Sequence, residues 1–282
     1  MDLKHTAPVR KCRAFLMQGL KLIMTKKRAS VSGTVLVNSF PKSGTHLLYQ
    51  VVRALPQLND YETFLASTPS LTMRERSQEQ TLKKISNWCP GEIVRGHLYF
   101  TPAVESALKQ KHCIHLFIYR DPRDVVCSEA YYLANMNRWH RLHKTFRSLE
   151  DEGSRIQFAI EGDKQGIAPV PYEDINARFK HYEPWISSPN TVSIRFEDLI
   201  GDQRDTTLHS IITKLSDHLP GLNEESHSEC MAQIQPEKSH TFRKGGGVSS
   251  WQKRFTPQHK KVFKEIAGKL LIDLGYEKDF NW

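Results

Sequence analysis

Residues 34–45 read TVLVNSFPKSGT and join a short apolar run to a candidate helix start. The run Thr34 to Asn38 predicts a buried strand, because short continuous apolar runs are typical of strands in a core. From about Thr45 to Leu55, apolar residues recur on one face and predict an amphipathic helix. The sequence therefore predicts a strand, a loop and a helix in immediate succession.

The loop, Phe40-Pro41-Lys42-Ser43-Gly44-Thr45, has the composition of an anion site. Free backbone N–H groups and the helix dipole attract an anion to a helix N-terminus. Gly44 permits close backbone approach, Ser43 and Thr45 add hydroxyl donors, and Lys42 adds a positive charge. Because the lysine precedes the glycine, the order differs from the Walker pattern. We predict a P-loop-like phosphate site rather than an ordinary turn with a solvated lysine.

Further strands are predicted at Glu92 to Arg95, His112 to Tyr119 and Thr191 to Phe196. The last helix should begin after Thr256 and stop near Gly275. Strands separated by helical stretches imply an α/β fold, a single domain with a central parallel sheet flanked by helices. Ligands bind such sheets at the carboxyl ends of the strands.

Length and composition limit the classes of protein that need to be considered. The 282 residues fit one large domain, and 39% are hydrophobic. The net charge of +9 favours an anionic partner, but the charges form no basic block, so we expect no nucleic-acid partner. The five cysteines are far apart without a C-x-x-C pair, which argues against a metal or disulfide framework. A reducing, cytoplasmic location is expected.

The domain is expected to span residues 31–282, preceded by a basic amphipathic segment over residues 1–30. The apolar part of that segment is too short to cross a bilayer, so we expect no stable membrane insertion. Two stretches, Glu150 to Tyr172 and Gln235 to Ser250, are predicted to be irregular loops, and residues 235–256 form a candidate loop that closes over a ligand.

Three further motifs carry candidate chemistry. Arg120 follows a strand, and Ser128 lies two turns into the helix that Pro122 should open, so an arginine fork and a hydroxyl could hold one phosphate. A surface ion pair is the alternative.

His97 follows another strand and is a candidate general base, although the chain has 13 histidines. The glycine-rich segment 242–247 could fold over a phosphate or be a solvated linker.

Together these elements resemble the cytosolic type of the PAPS-dependent sulfotransferase family, from about Val35 to Phe280 and in the family's order. PAPS is 3′-phosphoadenosine-5′-phosphosulfate, and PAP is its product. The resemblance implies that Lys42, Ser43, Gly44 and Thr45 bind the 5′-phosphosulfate, and that no metal takes part. It also implies the following roles at the other motifs: Arg120 and Ser128 hold the 3′-phosphate with Arg243, Lys244 and Gly245, and His97 is the general base.

The sequence departs from the family pattern at several of these positions. Arg95 stands where the family has a lysine two places before the base, and we expect it to supply positive charge with Lys42. Phe196 aligns with a nucleotide-binding tyrosine and has no hydroxyl to donate. Leu47 replaces a tryptophan that stacks on adenine, so the packing of the adenine must differ.

The implied reaction moves a sulfuryl group from PAPS to a small-molecule acceptor, with His97 taking the acceptor's proton and Lys42 stabilising the leaving group. Hydroxyl and amine acceptors both stay open. Glu129, Glu150 and Asp151 suggest a cationic acceptor such as an alkaloid of the saxitoxin type. The alternatives are a P-loop-type nucleotide kinase and a polyanion-binding module. A homodimer also stays open.

Overall fold

Five parallel strands form the centre of the protein in the order β2-β3-β1-β4-β5. The computed structural model describes residues 33–235 and 247–282. The predicted segment 1–30 and the predicted ligands Arg243, Lys244 and Gly245 lie outside the described residues. The strands are β1 (Val35–Ser39), β2 (Asn59–Ala66), β3 (Glu92–His97), β4 (Ile114–Tyr119) and β5 (Thr191–Arg195).

Helices connect the strands and cover both faces of the sheet. They are α1 (Thr45–Arg53), α2 (Gln78–Ser86), α3 (Pro102–Gln110), α4 (Pro122–Tyr131), α5 (His143–Ser148), α6 (Glu152–Glu161), α7 (Ile175–Lys180), α8 (Pro184–Ser187), α9 (Phe196–Ile200), α10 (Arg204–Ser216), α11 (Glu224–Ala232) and α12 (Pro257–Asp273). A π-helical turn, Tyr132–Met136, extends α4, and a short 3-10 helix, Ser250–Lys253, precedes α12.

Alternate side chains of the strands enter two separate apolar clusters. On β1, Leu36 packs into one cluster, whereas Val35 and Val37 pack into the other with Leu48 of α1. This division follows from the period of two in a strand, which sends successive side chains to opposite faces. Both faces of β1 are therefore buried, so a ligand could approach this strand only at its ends. Within the described ranges, no helix is long and apolar enough to cross a bilayer.

The α/β fold and the parallel sheet are confirmed, as are the helix at Pro122 and the cap at Thr256. The edge strand β2 was not predicted, because its sequence NDYETFLA mixes polar and apolar residues without strict alternation. Its register against β3 shifts between Asp60 and Thr63, so a bulge breaks the period that a sequence pattern would show.

The prediction of an irregular stretch at Glu150 to Tyr172 is wrong in its first half, which forms α6. The Asp151 side chain accepts a hydrogen bond from the backbone N–H of Ser154 at 2.7 Å and caps the helix. Ile156 and Ile160 are buried on its inner face. An i, i+4 apolar pair and an aspartate cap outweigh the glycine in the first turn.

Candidate active site

The site lies where β1, β3 and β4 end side by side. β1 is the central strand and pairs in parallel with both neighbours, so Ser39, His97 and Tyr119 end their strands at one edge of the sheet. The loop 40–44 leaves from the first of these ends. The predicted phosphate loop, general base and arginine thus reach one edge.

The loop 40–44 turns sharply before α1. Lys42 and Gly44 both have positive φ, at 68° and 101°. A Cβ atom on Gly44 would lie 2.5 Å from the Cδ2 atom of Phe196, so the loop packs directly against that ring. The Ser43 hydroxyl is buried and has no hydrogen-bond partner. An unsatisfied buried donor at a helix N-terminus suits an anion, because the anion would complete its hydrogen bonding.

The ammonium of Lys42 rests on an aromatic face, with Nζ 3.7 Å from the ring centre of Tyr132. Burial lowers the pKa of Lys42 to about 7; the Glu129 carboxylate opposes this shift, and the nearby Arg120 guanidinium adds to it. Phe196 packs against Gly44 of the same loop and under the Arg120 guanidinium, so the loop and Arg120 are separated by one aromatic ring. An anion between them would be attracted by both cations.

His97 is held by the residue that ends β1. Its Nδ1 atom lies 3.0 Å from the Ser39 carbonyl oxygen and 3.0 Å from the Ser39 hydroxyl oxygen. A carbonyl only accepts, so Nδ1 carries the proton and Nε2 keeps its lone pair. Burial lowers the pKa of His97 to about 4, and the Lys42 charge contributes to the lowering. His97 is therefore a neutral imidazole at pH 7 with one basic nitrogen.

A hydroxyl pair connects this base to the start of α1. The Ser39 and Thr45 hydroxyl oxygens are 2.5 Å apart. Asn38 adds a second brace: its side chain accepts a hydrogen bond from the Leu98 N–H at 2.8 Å and donates to the Leu98 carbonyl at 3.2 Å. Sequence analysis missed Asn38 and Ser39. The available signal was the pair of polar residues at the end of an otherwise apolar strand.

Arg120 is buried at the end of β4. Its Nη2 atom donates to the Gly247 carbonyl at 2.7 Å and lies 3.4 Å from the Asp124 carboxylate. The guanidinium also stacks 4.6 Å from the Phe196 ring centre, while Nε has no partner. Phe196 thus contacts both the loop 40–44 and Arg120. Ser128 is partly buried on α4, the helix that follows Arg120.

Asp124 binds residues that follow the glycine-rich segment 242–247. Its Oδ1 atom accepts hydrogen bonds from the Ser250 hydroxyl at 2.8 Å and from the Trp251 N–H at 2.9 Å. The motif around Arg120 is thus a buried network rather than a surface ion pair.

The Arg95 side chain, predicted to supply positive charge with Lys42, is held by residues of two neighbouring elements. Its guanidinium stacks 4.5 Å from the ring centre of Tyr49 on α1 and donates to the Glu62 carbonyl oxygen on β2 at 3.3 Å. These contacts place its charge between the edge strand and α1. The planar guanidinium of arginine can stack flat on the Tyr49 ring while its N–H groups still donate hydrogen bonds, which accounts for this packing.

The model of the sulfotransferase domain family matches residues 32–212. A mouse sulfotransferase, SULT7A1, solved with PAP, has a TM-score of 0.59 at 19% identity, covering 87% of this chain and 87% of its own. Retinol dehydratase with androsterone and PAP scores 0.54 at 17% identity, covering 85% and 81%. Its complex with retinol and PAP scores 0.54 at 15% identity, covering 86% and 82%. Among curated proteins, the comparison finds no sequence match.

Proposed function

The chain belongs to the sulfotransferase domain family, and we propose on that basis that it moves a sulfuryl group from PAPS to a hydroxyl or amine of a small-molecule acceptor. The observation that supports PAPS as the donor is that two candidate anion sites lie on either side of one aromatic ring. Lys42 and Ser43 lie at one, Arg120 lies at the other, and Phe196 contacts both the loop and Arg120. A nucleotide with a phosphate at each end suits this pair of sites.

The residues present fit that nucleotide. The Ser43 hydroxyl and the Arg120 Nε atom are both buried without partners, and both are hydrogen-bond donors. In this proposal Lys42, Ser43, Gly44 and Thr45 hold the 5′ end. Arg120 and Ser128 hold the 3′-phosphate, together with Arg243, Lys244 and Gly245. PAPS supplies a sulfuryl group on a phosphate leaving group.

The chain's own contribution begins with proton transfer. The lone pair on His97 Nε2 takes the acceptor's proton, while Nδ1–H stays fixed on the Ser39 carbonyl. The positive charge of Lys42 stabilises negative charge that develops beside the loop. Arg95, whose guanidinium is held by Tyr49 and Glu62, adds positive charge in this proposal.

Two of the three carboxylates suggested for a cationic acceptor have other partners. Glu129 forms an ion pair with Arg178, with 2.6 Å between the Nη1 and Oε2 atoms, and Asp151 caps α6. These contacts give no support to an alkaloid of the saxitoxin type, which belongs in an acceptor panel beside phenols, sterols, sugars and amines.

A thermal-shift experiment tests the donor. We expect PAP and PAPS to raise the melting temperature and AMP to have little effect, because AMP lacks the 3′-phosphate. Stabilisation by ATP in a metal-dependent manner would instead identify a nucleotide kinase. Tight, strongly salt-dependent binding of heparin without a preference for PAP over AMP would identify a polyanion-binding module.

The loop 235–256 is proposed to close over the nucleotide, within a domain of residues 31–282. Limited proteolysis with and without PAP tests this, and protection of the loop by PAP is expected. A cytoplasmic location and a homodimer stay predictions.

A further inference from the structure

A surface hollow of about 580 Å³ lies beside the π-helical turn that follows α4. Three cationic side chains line it: Arg138, Arg141 and Lys144. Within the described part of the chain, no aspartate or glutamate is among its lining residues. All three cations are exposed, so their charge is available to a ligand. This one-sided charge distribution favours an anionic group.

The hollow also has an apolar wall. Leu71, Trp139 and Ile167 line it and are 49%, 60% and 49% exposed. They make up three of the seven large apolar side chains that are exposed within residues 33–235 and 247–282. Exposed apolar groups gathered in a concave site are a feature of ligand-binding surfaces. A ligand that fits both walls has an apolar body and an anionic end.

A neutral hydrogen-bond donor adds to the polar side. The backbone N–H of Leu142 donates to Nδ1 of His140 at 3.2 Å, so the proton of the neutral ring lies on Nε2. Burial lowers the pKa of His140 to about 4, which keeps the ring neutral at pH 7. Since His140 lines the hollow, its Nε2–H group could donate a hydrogen bond to an anionic oxygen of a ligand there.

Two contacts join the hollow to the proposed transfer site. The ring of Tyr132 lies under the Lys42 ammonium, and its hydroxyl accepts a hydrogen bond from the Asn137 side chain at 3.1 Å. Asn137 immediately precedes Arg138, and its carbonyl accepts the His140 N–H at 3.1 Å. One tyrosine and one turn of chain therefore separate the lysine from the hollow.

We propose that this hollow binds the anionic group of an amphipathic acceptor whose hydroxyl reaches the site at His97 and Lys42. The proposal rests on the proposed sulfotransferase function and narrows its acceptor class to molecules that carry a carboxylate, sulfate or phosphate on an apolar body.

Calorimetry with a matched pair of probes tests the proposal. The probes are 10-hydroxydecanoate and 1,10-decanediol, which differ at one end of a flexible chain in carrying either a carboxylate or a hydroxyl. At pH 7 and low salt we expect the acid to bind wild-type protein about tenfold more tightly. The double variant Arg141→Gln/Lys144→Gln should lose about that tenfold for the acid and leave the diol unchanged, because each exposed charge pair contributes a factor of roughly two to five.

Arg147→Gln is the control, because this exposed arginine lies on α5 with Lys144 but does not line the hollow. It should bind both probes as the wild type does. Equal affinity of wild type for the two probes would overturn the proposal, as would an equal loss in Arg147→Gln.

Two further measurements separate this proposal from the donor assignment. PAP binding is measured by calorimetry on the same proteins. Absence of PAP binding would reject the donor assignment, whereas the probe titrations would still show whether the hollow binds an anionic group. Sulfation of the acid by PAPS with a lower KM than the diol supports the acceptor class. Tight binding of the acid to an enzyme that sulfates only the diol would overturn it.

Discussion

The Nδ1 atom of His97 lies 3.0 Å from the carbonyl oxygen of Ser39, the last residue of the strand that leads into the loop 40–44. The proposed base and the proposed anion site therefore share one anchor. If the end of β1 shifted, the His97 ring and the loop 40–44 would shift with it. The distance between the proposed base and the proposed anion site would therefore change little.

Replacing the base tests its assignment directly. His97→Gln should lower kcat by a factor of about 10² to 10⁴, the usual contribution of a general base. PAP affinity should stay within a few-fold, since His97 is not among the proposed nucleotide ligands. Steady-state kinetics and PAP calorimetry measure the two effects. His209→Gln, an exposed histidine on α10, is the control, and near-normal turnover of the His97 variant would reject the base.

The low pKa of His97 predicts a pH-dependent stability. Burial lowers the pKa to about 4 in the folded protein, against 6.5 in an unfolded chain. The folded state thus binds fewer protons between these values, and His97 contributes stability above pH 6.5 that is lost as pH falls toward 4. Urea unfolding should show wild type losing up to about 3 kcal/mol more than His97→Gln between pH 7 and pH 4. Parallel curves for the two proteins would contradict this expectation.

Lys42 predicts proton uptake on nucleotide binding. With a pKa of about 7 in the free protein, Lys42 is mostly neutral at pH 8, and phosphate beside it should raise the pKa and restore the charge. Calorimetry in buffers of different ionisation enthalpy should show close to one proton taken up per PAP at pH 8. Lys42→Met should abolish this uptake, whereas the exposed Lys214→Met should not. Uptake that persists in Lys42→Met would assign the proton elsewhere.

Gly44 should tolerate substitution less well than a glycine with the same kind of backbone in open space. Gly44 and Gly275 both have positive φ, but a Cβ atom on Gly275 would meet nothing within 4 Å. Gly275→Ala should therefore cost only the left-handed strain, about 1–2 kcal/mol. Gly44→Ala adds the clash with Phe196, a further cost of roughly 1–3 kcal/mol, and should weaken PAP binding. Denaturant unfolding measures both variants, and equal costs would show that Phe196 moves aside freely.

Much of the fold could be predicted because its central strands are continuous apolar runs. β1 and β4 are buried on both faces. A loop with Pro41 and Gly44 joins β1 to α1, and Pro122 opens α4 after β4. The strand β2 escaped prediction because it is a bulged edge strand with polar residues. The helix α6 was not predicted because its sequence contains glycine and several charged residues. Its apolar pair, Ile156 and Ile160, is recognised as a buried face only once the packing of neighbouring elements is known.

The sequence could predict that Lys42, His97 and Arg120 lie at or just after the ends of buried strands, because each belongs to a motif that adjoins an apolar run. Their roles in the site stay predictions. The pattern could not give the direction of Arg95, because direction depends on Tyr49 and Glu62, which come from two other elements. The position of a residue in a sequence pattern predicts where its backbone lies. The orientation of a long side chain depends on tertiary contacts that the pattern does not contain.

The aromatic support under Lys42 has a consequence for how a donor arrives. Within the described residues, no carboxylate lies within ion-pair distance of that ammonium, and the face of Tyr132 holds it instead. If a carboxylate were paired with Lys42, that ion pair would have to break before a phosphate could bind the ammonium. The contact with the Tyr132 ring can persist while the N–H groups of the ammonium donate to a phosphate. A phosphate-bearing ligand could therefore bind Lys42 without displacing another anion.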